Sequence, residues 1–327
     1  MKIDFKRAKS FLAIGETSQK TAFKRYVGVG ESYPIALNPS KKELEEIYGR
    51  ELNYEPEYFG TDEETGTKWA KLDFIVKTKP EVCNGAEIIS NATFIIRNEQ
   101  YFDSTKTKVR VIDAFGNSVW MQKEDADNGK PALNRDGNPS KIGKYRIARK
   151  GEPELCDFLR KFINVPDAFD YANGIWTQKK LKHASELSKE EAEKGNVLTF
   201  EQCSIALDNS DFDSFYKGDV KGLWDVIKNR MSTNATLGIV LLYGVKTKDD
   251  GKQSQVVCTG YDMMLHRNPN AKALGRLEKN LSSAKASNMY GNIDFRVQEL
   301  QEYTVEPTNL DKPAEDSGSS SDMPWDN

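Results

Sequence analysis

Apolar and polar positions follow one another in short runs through the first half of the chain, with Gly, Asn and Asp residues between the runs. This pattern is typical of β-strands joined by turns. It predicts strands at RYVGV (25–29), YPIAL (33–37), KWAKLDFIVK (68–77), AEIISNATFIIR (86–97), TKVRVI (107–112) and SVWM (118–121). One short helix, KKELEEIYG (41–49), is predicted between the second and third strands and ends at Gly49.

From about residue 151 the apolar positions take helical spacing. The segments GEPELCDFLRKFINVP and GDVKGLWDVIKNR each place four apolar residues at i, i+3, i+4 and i+7. These residues are Leu155, Phe158, Leu159 and Phe162 in the first segment, and Val220, Leu223, Trp224 and Ile227 in the second. Strands return at 237–247 and 253–262, predicted as a hairpin across an Asp-Asp-Gly turn, and a helix follows at about 271–287.

These elements predict an α+β fold rich in antiparallel strands, because strands and helices do not alternate as they do in doubly wound folds. We expect one body over residues 1–306, β-rich over 25–150 and mixed over 151–306. Residues 307–327 form a Ser-rich acidic tail with few apolar side chains. Such a tail buries too little apolar surface to offset the entropy of ordering it, so we predict that it is disordered.

The composition is that of a polar globular chain. At 327 residues and 38% hydrophobic side chains, it has material for one large core or two modest ones. It has no run of about 18 apolar residues, and MKIDFKRAKSF lacks the apolar region of a signal peptide. Its four cysteines lie far apart, with no CxxC. We therefore expect reduced thiols, no membrane contact and a cytoplasmic location, in the host cell if the chain is viral.

The net charge of −3 hides a division between acidic and basic segments. Residues 311–327 hold five acids and one lysine, and residues 43–64 hold nine acids against Arg50. By contrast, residues 101–151 carry eleven basic side chains against six acids, and residues 1–26 carry seven against two. Basic surfaces of this kind can bind a polyanion even on a chain that is acidic overall.

The usual signatures of catalysis are missing from the sequence. It has only two histidines, His183 and His266, in unrelated segments, which argues against His-ligated zinc and His-based triads. VGVGES lacks the third glycine of a dinucleotide-binding loop and is more typical of a turn, and GTDEETGTK is an acidic surface loop with the wrong spacing for a phosphate loop. We expect no enzyme activity, no cofactor and no metal, although a metal-dependent nuclease stays open because aspartates are common.

The segment TKTKVRV points to a function. Lys106, Lys108 and Arg110 recur with period 2, so they are predicted to share one face of a strand, with Thr107, Val109 and Val111 on the other face. Basic strands interleaved with aromatic residues suit a groove for single-stranded nucleic acid, where cations follow the phosphates and rings stack on bases. The alternative is a solvated lysine-rich strand whose aromatic residues belong to the core, and Trp120 and Phe115 taken singly are more typical of a core.

The candidate DNA-binding residues combine this strand with the cations and rings around it. They are Arg97, Tyr101, Phe102, Lys106, Lys108, Arg110, Trp120, Lys144, Tyr145, Arg146 and Arg149.

The acidic tail contains an aromatic residue that a solubilising tail does not need. Its candidate partner-binding residues are Asp322, Met323, Pro324, Trp325 and Asp326. An acidic tail near a basic groove can compete with DNA for that groove, and an exposed tryptophan can anchor a partner protein.

The sequence DMPW resembles the acidic tip of bacterial single-stranded DNA-binding proteins, with Trp in place of the usual Phe and with Asp326 and Asn327 following it. Four further blocks resemble single-stranded DNA-binding proteins of large tailed phages, crAss-like phages among them. The blocks are VGVG…ALNPSKKELEEIYG, KLDFIVKT, KTKVRVIDAFGNSVW and YRIARKGEPELCDFLRKFINVP. The resemblance implies an OB-like β-barrel with added helices.

The first hypothesis is therefore a sequence-independent single-stranded DNA-binding protein for phage DNA replication, recombination and repair. In it, the tail recruits replication and recombination proteins. One alternative is a phage structural or scaffold-like interaction protein, and a second is a metal-dependent nuclease.

Overall fold

The computed structural model describes most of the chain between residues 25 and 303. The described residues are 25–79, 87–113, 116–133, 144–162, 169–170, 175–176, 186–194, 205–233, 237–249 and 251–303. The predicted tail, residues 307–327, and Phe115 lie outside them.

The strands within these residues, in chain order, are β1 Arg25–Leu37, β2 Phe59–Thr61, β3 Lys68–Thr78, β4 Ile89–Gln100, β5 Lys108–Asp113, β6 Ser118–Gln122, β7 Tyr145–Ile147, β8 Arg149–Lys150, β9 Phe169–Asp170, β10 Ile175–Trp176, β11 Ile239–Thr247, β12 Gln253–Cys258, β13 Leu265–His266, β14 Ile293–Phe295 and β15 Gln301–Tyr303. The helices are α1 Lys41–Tyr48, α2 Lys123–Asp127, α3 Glu152–Phe162, α4 Lys189–Lys194, α5 Asn209–Phe215, α6 Lys221–Thr233 and α7 Ala271–Ala286. None of these helices is long and apolar enough to cross a membrane.

The largest sheet has ten strands, and its main path runs β12-β11-β1-β3-β4-β8. All of its strand pairs are antiparallel. Strands from both halves of the sequence therefore share one sheet. The prediction of an α+β fold rich in antiparallel strands is confirmed.

This sheet curls into a half-barrel. Three strands separate β12 from β4 along the sheet. Nevertheless, just beyond β12 the hydroxyl of Thr259 donates a hydrogen bond to the carbonyl of Thr93 in β4, at 3.1 Å. The turn that follows β12 therefore lies close to β4.

Strand β1 differs from its prediction, because RYVGV and YPIAL form one continuous strand instead of two. The glycines of VGVGES lie inside this strand. Gly28 has a φ of +130°, and a Cβ atom there would lie 2.7 Å from the carbonyl oxygen of Glu299. Glycine at this position therefore permits a close approach between β1 and the chain that leads into β15.

A second, three-stranded antiparallel sheet has the order β6-β5-β7. One of its faces packs on the short helix α2 and forms a small core of Val109, Val111, Met121, Ala126 and Ala132. Its other face is turned towards α3, where Ile112 packs with Ala148 and Cys156. Helix α3 therefore lies between the two sheets.

Helix α3 is apolar on the side that meets the large sheet, as its spacing predicted. Leu155, Phe158, Leu159 and Phe162 are buried in the main core, and the ring of Phe158 lies 4.8 Å from that of Phe74 in β3. The predicted hairpin between β11 and β12 is likewise confirmed by its antiparallel register. Helix α1 ends as expected at Gly49, which has a left-handed φ of 64°.

Candidate nucleic-acid interface

Strand β5 begins at Lys108, so Lys106 does not lie on it and the predicted alignment of three cations on one strand face is wrong. Lys106 occupies a turn with a positive φ of 56°, in which its N–H donates to the carbonyl of Asp103. The Asp103 carboxylate also accepts hydrogen bonds from the N–H groups of Thr107 and Lys108, at 3.0 and 2.9 Å. This side chain fixes the turn and delays the start of the strand.

Arg110 is also not the solvent-facing cation that the alternation predicted. Its guanidinium carbon lies 4.3 Å from the ring centre of Tyr261 and 5.3 Å from that of Trp120. Its Nε donates to the Ser118 hydroxyl at 2.6 Å. Because the turn after β12 covers this face of β5, Arg110 is only partly exposed and is held between two aromatic rings.

Trp120 lies directly opposite Arg110 on β6, one of the two edge strands of the small sheet. Its side chain is 39% exposed, so the core role typical of a tryptophan does not apply to it. The ring of Tyr101 meets it edge-on, with centroids 5.2 Å apart. Arg110 and Tyr101 thus fix the orientation of Trp120 while part of its ring stays open to solvent. We call Tyr101, Arg110, Trp120 and Tyr261 the aromatic cluster.

A buried carboxyl group lies next to the aromatic cluster. The Tyr101 hydroxyl donates to Glu154 Oε1 at 3.3 Å, and Glu154 Oε2 is buried with no hydrogen-bond partner in the described part of the chain. Burial raises the pKa of Glu154, although the charge of Arg110 acts in the opposite direction. Burial is also the main cause that raises the pKa of Tyr101, so this hydroxyl stays protonated and able to donate.

Arg146 and Arg149 are held by one buried acid, Glu152, at the start of α3. The Arg146 guanidinium donates to both carboxylate oxygens of Glu152, and the N–H of Arg149 donates to Oε2 at 2.9 Å. Burial by itself lowers the pKa of Arg146, but the hydrogen bond to Glu152 outweighs it and raises that pKa. The Arg149 guanidinium lies 4.3 Å from the ring centre of Phe212 and donates to Asn209. Both cations are therefore fixed in position, and the Arg146 side chain is still 40% exposed.

The remaining sequence candidates divide between core and surface. Phe102 and Tyr145 pack against the small core under β5, and the Tyr145 hydroxyl donates to the carbonyl of Lys130 at 2.7 Å. Lys108 and Lys144 are exposed. Arg97 lies on β4 of the large sheet, opposite Lys150, with its Nη1 3.7 Å from the carboxylate of Asp62.

Sequence reasoning missed the acids of α3 that hold these groups in place. Asp157 is fully buried and accepts hydrogen bonds from Arg160 and Lys161, and from the N–H of Asp262 at 3.0 Å. Burial alone would raise the pKa of Asp157, but the charges of Lys161 and Arg160 hold it below its usual value. In the sequence these charges look like the solvated side of an amphipathic helix, and contacts with Asn117 of the second sheet and with Asp262 after β12 turn them into a buried network.

The structure does not bear on the tail residues Asp322, Met323, Pro324, Trp325 and Asp326, which lie outside the described residues. Within the described ranges, no three His, Cys, Asp or Glu side chains are grouped so that they could hold a metal ion. No protein-family model, curated protein or solved structure matches this chain.

Proposed function

We propose that this chain is a non-enzymatic, sequence-independent single-stranded DNA-binding protein that serves phage DNA replication and recombination. The observation that carries the proposal is the partly exposed ring of Trp120, held by Tyr101 and Arg110 on an edge strand of a small antiparallel sheet. An aromatic ring that is partly exposed to solvent and fixed in orientation can stack on a nucleic-acid base. Stacking tolerates every base, since each base has a π-face.

The cations take different roles in this proposal from those the sequence indicated. Arg110 holds the ring of Trp120 through a cation–π contact, whereas the exposed Lys106, Lys108 and Lys144 meet the phosphates. Arg146 adds a cation that Glu152 holds in a fixed orientation. Contacts of this kind release counterions, so binding weakens as salt is added.

The larger assignments extend the same proposal. We interpret the half-barrel as part of an OB-like β-barrel with added helices, the architecture expected from the resemblance to phage single-stranded DNA-binding proteins. The acidic tail competes with DNA for the cationic surface and recruits replication and recombination proteins through Asp322, Met323, Pro324, Trp325 and Asp326. Removal of residues 311–327 should then tighten DNA binding most at low salt, because salt screens the competition.

An oligo-dT titration tests the proposal. Wild-type protein should bind oligo-dT with quenching of tryptophan fluorescence, and salt should release it. The double variant Lys108→Ala/Lys144→Ala should flatten the log–log salt dependence by about 0.7 for each lost phosphate contact. Failure of folded wild-type protein to bind oligo-dT at low salt would reject the proposal and favour an interaction protein. Loss of the DNA itself in the presence of Mg²⁺ would point to a nuclease.

A further inference from the structure

A cavity of about 500 Å³ opens between the small sheet, α3 and the segment that precedes α5. Its lining includes Ile112 of β5, Lys144 and Arg146 at β7, Cys156 and Arg160 of α3, and Leu207. A volume in this range is typical of a pocket for a small molecule or for one unit of a polymer.

The floor of the cavity is apolar. Ile112 and Cys156 belong to one buried cluster, against which Leu207 packs. Burial raises the pKa of the Cys156 thiol well above its usual value, so the thiol is uncharged near neutral pH. The floor therefore presents an uncharged surface of a kind on which a planar ring can lie.

The rim and wall of the cavity carry hydrogen-bond donors. Lys144 is exposed at the rim, and Arg146 keeps its guanidinium fixed by two hydrogen bonds to Glu152. Arg160 is a buried wall residue whose Nε–H has no hydrogen-bond partner in the part of the chain that the structure describes. A buried donor without a partner destabilises the protein, so a ligand that accepts a hydrogen bond from it binds with a more favourable free energy.

Two acids also line the cavity, and both are already hydrogen-bonded within the chain. Asp113 accepts from the backbone and side-chain amides of Asn117, at 2.9 and 3.0 Å. Asp208 caps α5 and accepts from the N–H groups of Ser210 and Asp211. These hydrogen bonds disperse the carboxylate charge and reduce the repulsion that a phosphate at Lys144 would meet.

We propose that this cavity takes one nucleotide, with its base on the floor of Ile112 and Leu207 and its phosphate at Lys144 and Arg146. Ile112 lies two residues beyond Arg110 on the same face of β5, about 7 Å along the strand, so the cavity adjoins the aromatic cluster. One bound strand can therefore stack one base on Trp120 and insert another into the cavity. This inference rests on the proposed function, and a free mononucleotide has the same chemistry.

The test fills the cavity without touching the aromatic cluster. Ala206 lines the cavity and is exposed, so Ala206→Trp should block it at little cost to folding. Ala271→Trp adds the same ring at an exposed position of α7 that does not line the cavity, and it serves as the matched control. We expect Ala206→Trp to weaken oligo-dT binding about tenfold, the effect of one lost stacked base, and Ala271→Trp to leave it unchanged.

A second variant, Lys144→Glu, repels the phosphate from the rim and should weaken binding in the same direction. dTMP and inorganic phosphate alone are titrated as probes of a free-ligand site. If wild-type protein binds oligo-dT and Ala206→Trp does not weaken it, the inference is overturned while the proposed function stands, because Lys144→Glu alone also removes a phosphate contact of the proposed function. If wild-type protein fails to bind oligo-dT, the proposed function falls. Binding of dTMP that Ala206→Trp abolishes then supports a free-nucleotide cavity, and absence of dTMP binding overturns the cavity as well.

Discussion

The two sides of α3 meet two sheets by different physical means. On the side of the large sheet, Leu155, Phe158, Leu159 and Phe162 bury apolar surface against β3 and β4. On the side of the small sheet, buried charges are paired with one another, and Arg160 of α3 donates to the Asn117 side chain of the β5–β6 turn. The first contact is non-directional and tolerant of small shifts. The second needs every donor and acceptor in place.

The two sides of α3 therefore contribute differently to the structure. The apolar side contributes more of the stability than the charged side does, because hydrophobic stabilisation grows with the apolar area removed from water. The charged side meets the small sheet through the hydrogen bond from Arg160 to Asn117, next to β6, which carries Trp120. Ion pairs of this kind fix geometry more reliably than they add stability, since desolvation offsets most of their attraction.

The largest expected effect comes from truncation on the apolar side. Phe158→Ala should lower the free energy of unfolding by about 4 kcal/mol, because a fully buried ring leaves a cavity in the main core. Urea denaturation measures this change. Cys156→Ala removes a single buried atom from the opposite side of the helix and should cost only about 1 kcal/mol. A loss of about 1 kcal/mol or less in Phe158→Ala would mean that the apolar side is not the main source of stability at α3.

The next effect comes from the charged side. Asp157→Asn leaves Arg160 and Lys161 without their buried counter-charge and should cost about 3 kcal/mol at pH 7. In the wild type the pKa of Asp157 is lowered from 3.8, so its contribution is present above that pH and is lost as pH falls through the folded pKa. Urea denaturation across acidic pH should therefore show a smaller acid-induced loss in the variant.

The control for Asp157→Asn is Asp225→Asn, which breaks an exposed ion pair with Lys228 and should change stability little. A variant Asp157→Asn as stable as the wild type would mean that the charges are not a coupled network.

A third prediction separates the interface from the stability of the fold. Trp120→Ala should weaken oligo-dT binding by about 1–3 kcal/mol, roughly 5- to 150-fold, because one stacking platform is lost. Its effect on unfolding should be small, since the ring is partly exposed at an edge strand. Titrations by fluorescence anisotropy measure the affinity. Tyr54→Ala, another exposed ring, should bind DNA as the wild type does. Equal losses in the two would argue against a local site.

The smallest effect concerns the carboxyl group beside the aromatic cluster. Burial raises the pKa of Glu154 in the folded protein above its ordinary value of 4.5, so the unfolded chain ionises first as pH rises. The wild type should therefore lose stability relative to Glu154→Gln as pH rises above 4.5, and the two should match below it. Urea midpoints at pH 4 and pH 7 measure the difference. A gain for the variant that does not vary with pH would assign the effect to packing.

Sequence patterns were sufficient to predict an element where short-range features, such as the periodic spacing of its apolar residues, determine it. The helical spacing of Leu155, Phe158, Leu159 and Phe162 gave the buried side of α3, and Gly49 gave the end of α1. These features depend on residues close together in the chain. They can therefore be predicted without any knowledge of the tertiary structure.

The interface could not be read in the same way, because distant residues form it. Strand alternation predicted an open cationic face on β5, but Tyr261, about 150 residues later in the chain, covers Arg110. Lys106 was misplaced because the Asp103 side chain competes with the strand for backbone N–H groups. Trp120 was identified as a candidate, although its exposure depends on β6 being an edge strand.

The place of β1 inside the large sheet has a consequence for the order of folding. One side of β1 pairs with β11, with Gly28 opposite Tyr243, and Tyr26 is held by the side chain of Gln255, 229 residues away. A ribosome adds about 5–20 residues per second, so this strand waits roughly 10–40 s for its partner to be synthesised. During that time β1 can pair with β3. The backbone N–H and C=O groups on its other edge stay unpaired and can form hydrogen bonds with another chain. Until β11 leaves the ribosome, this edge of β1 is therefore open to incorrect pairing.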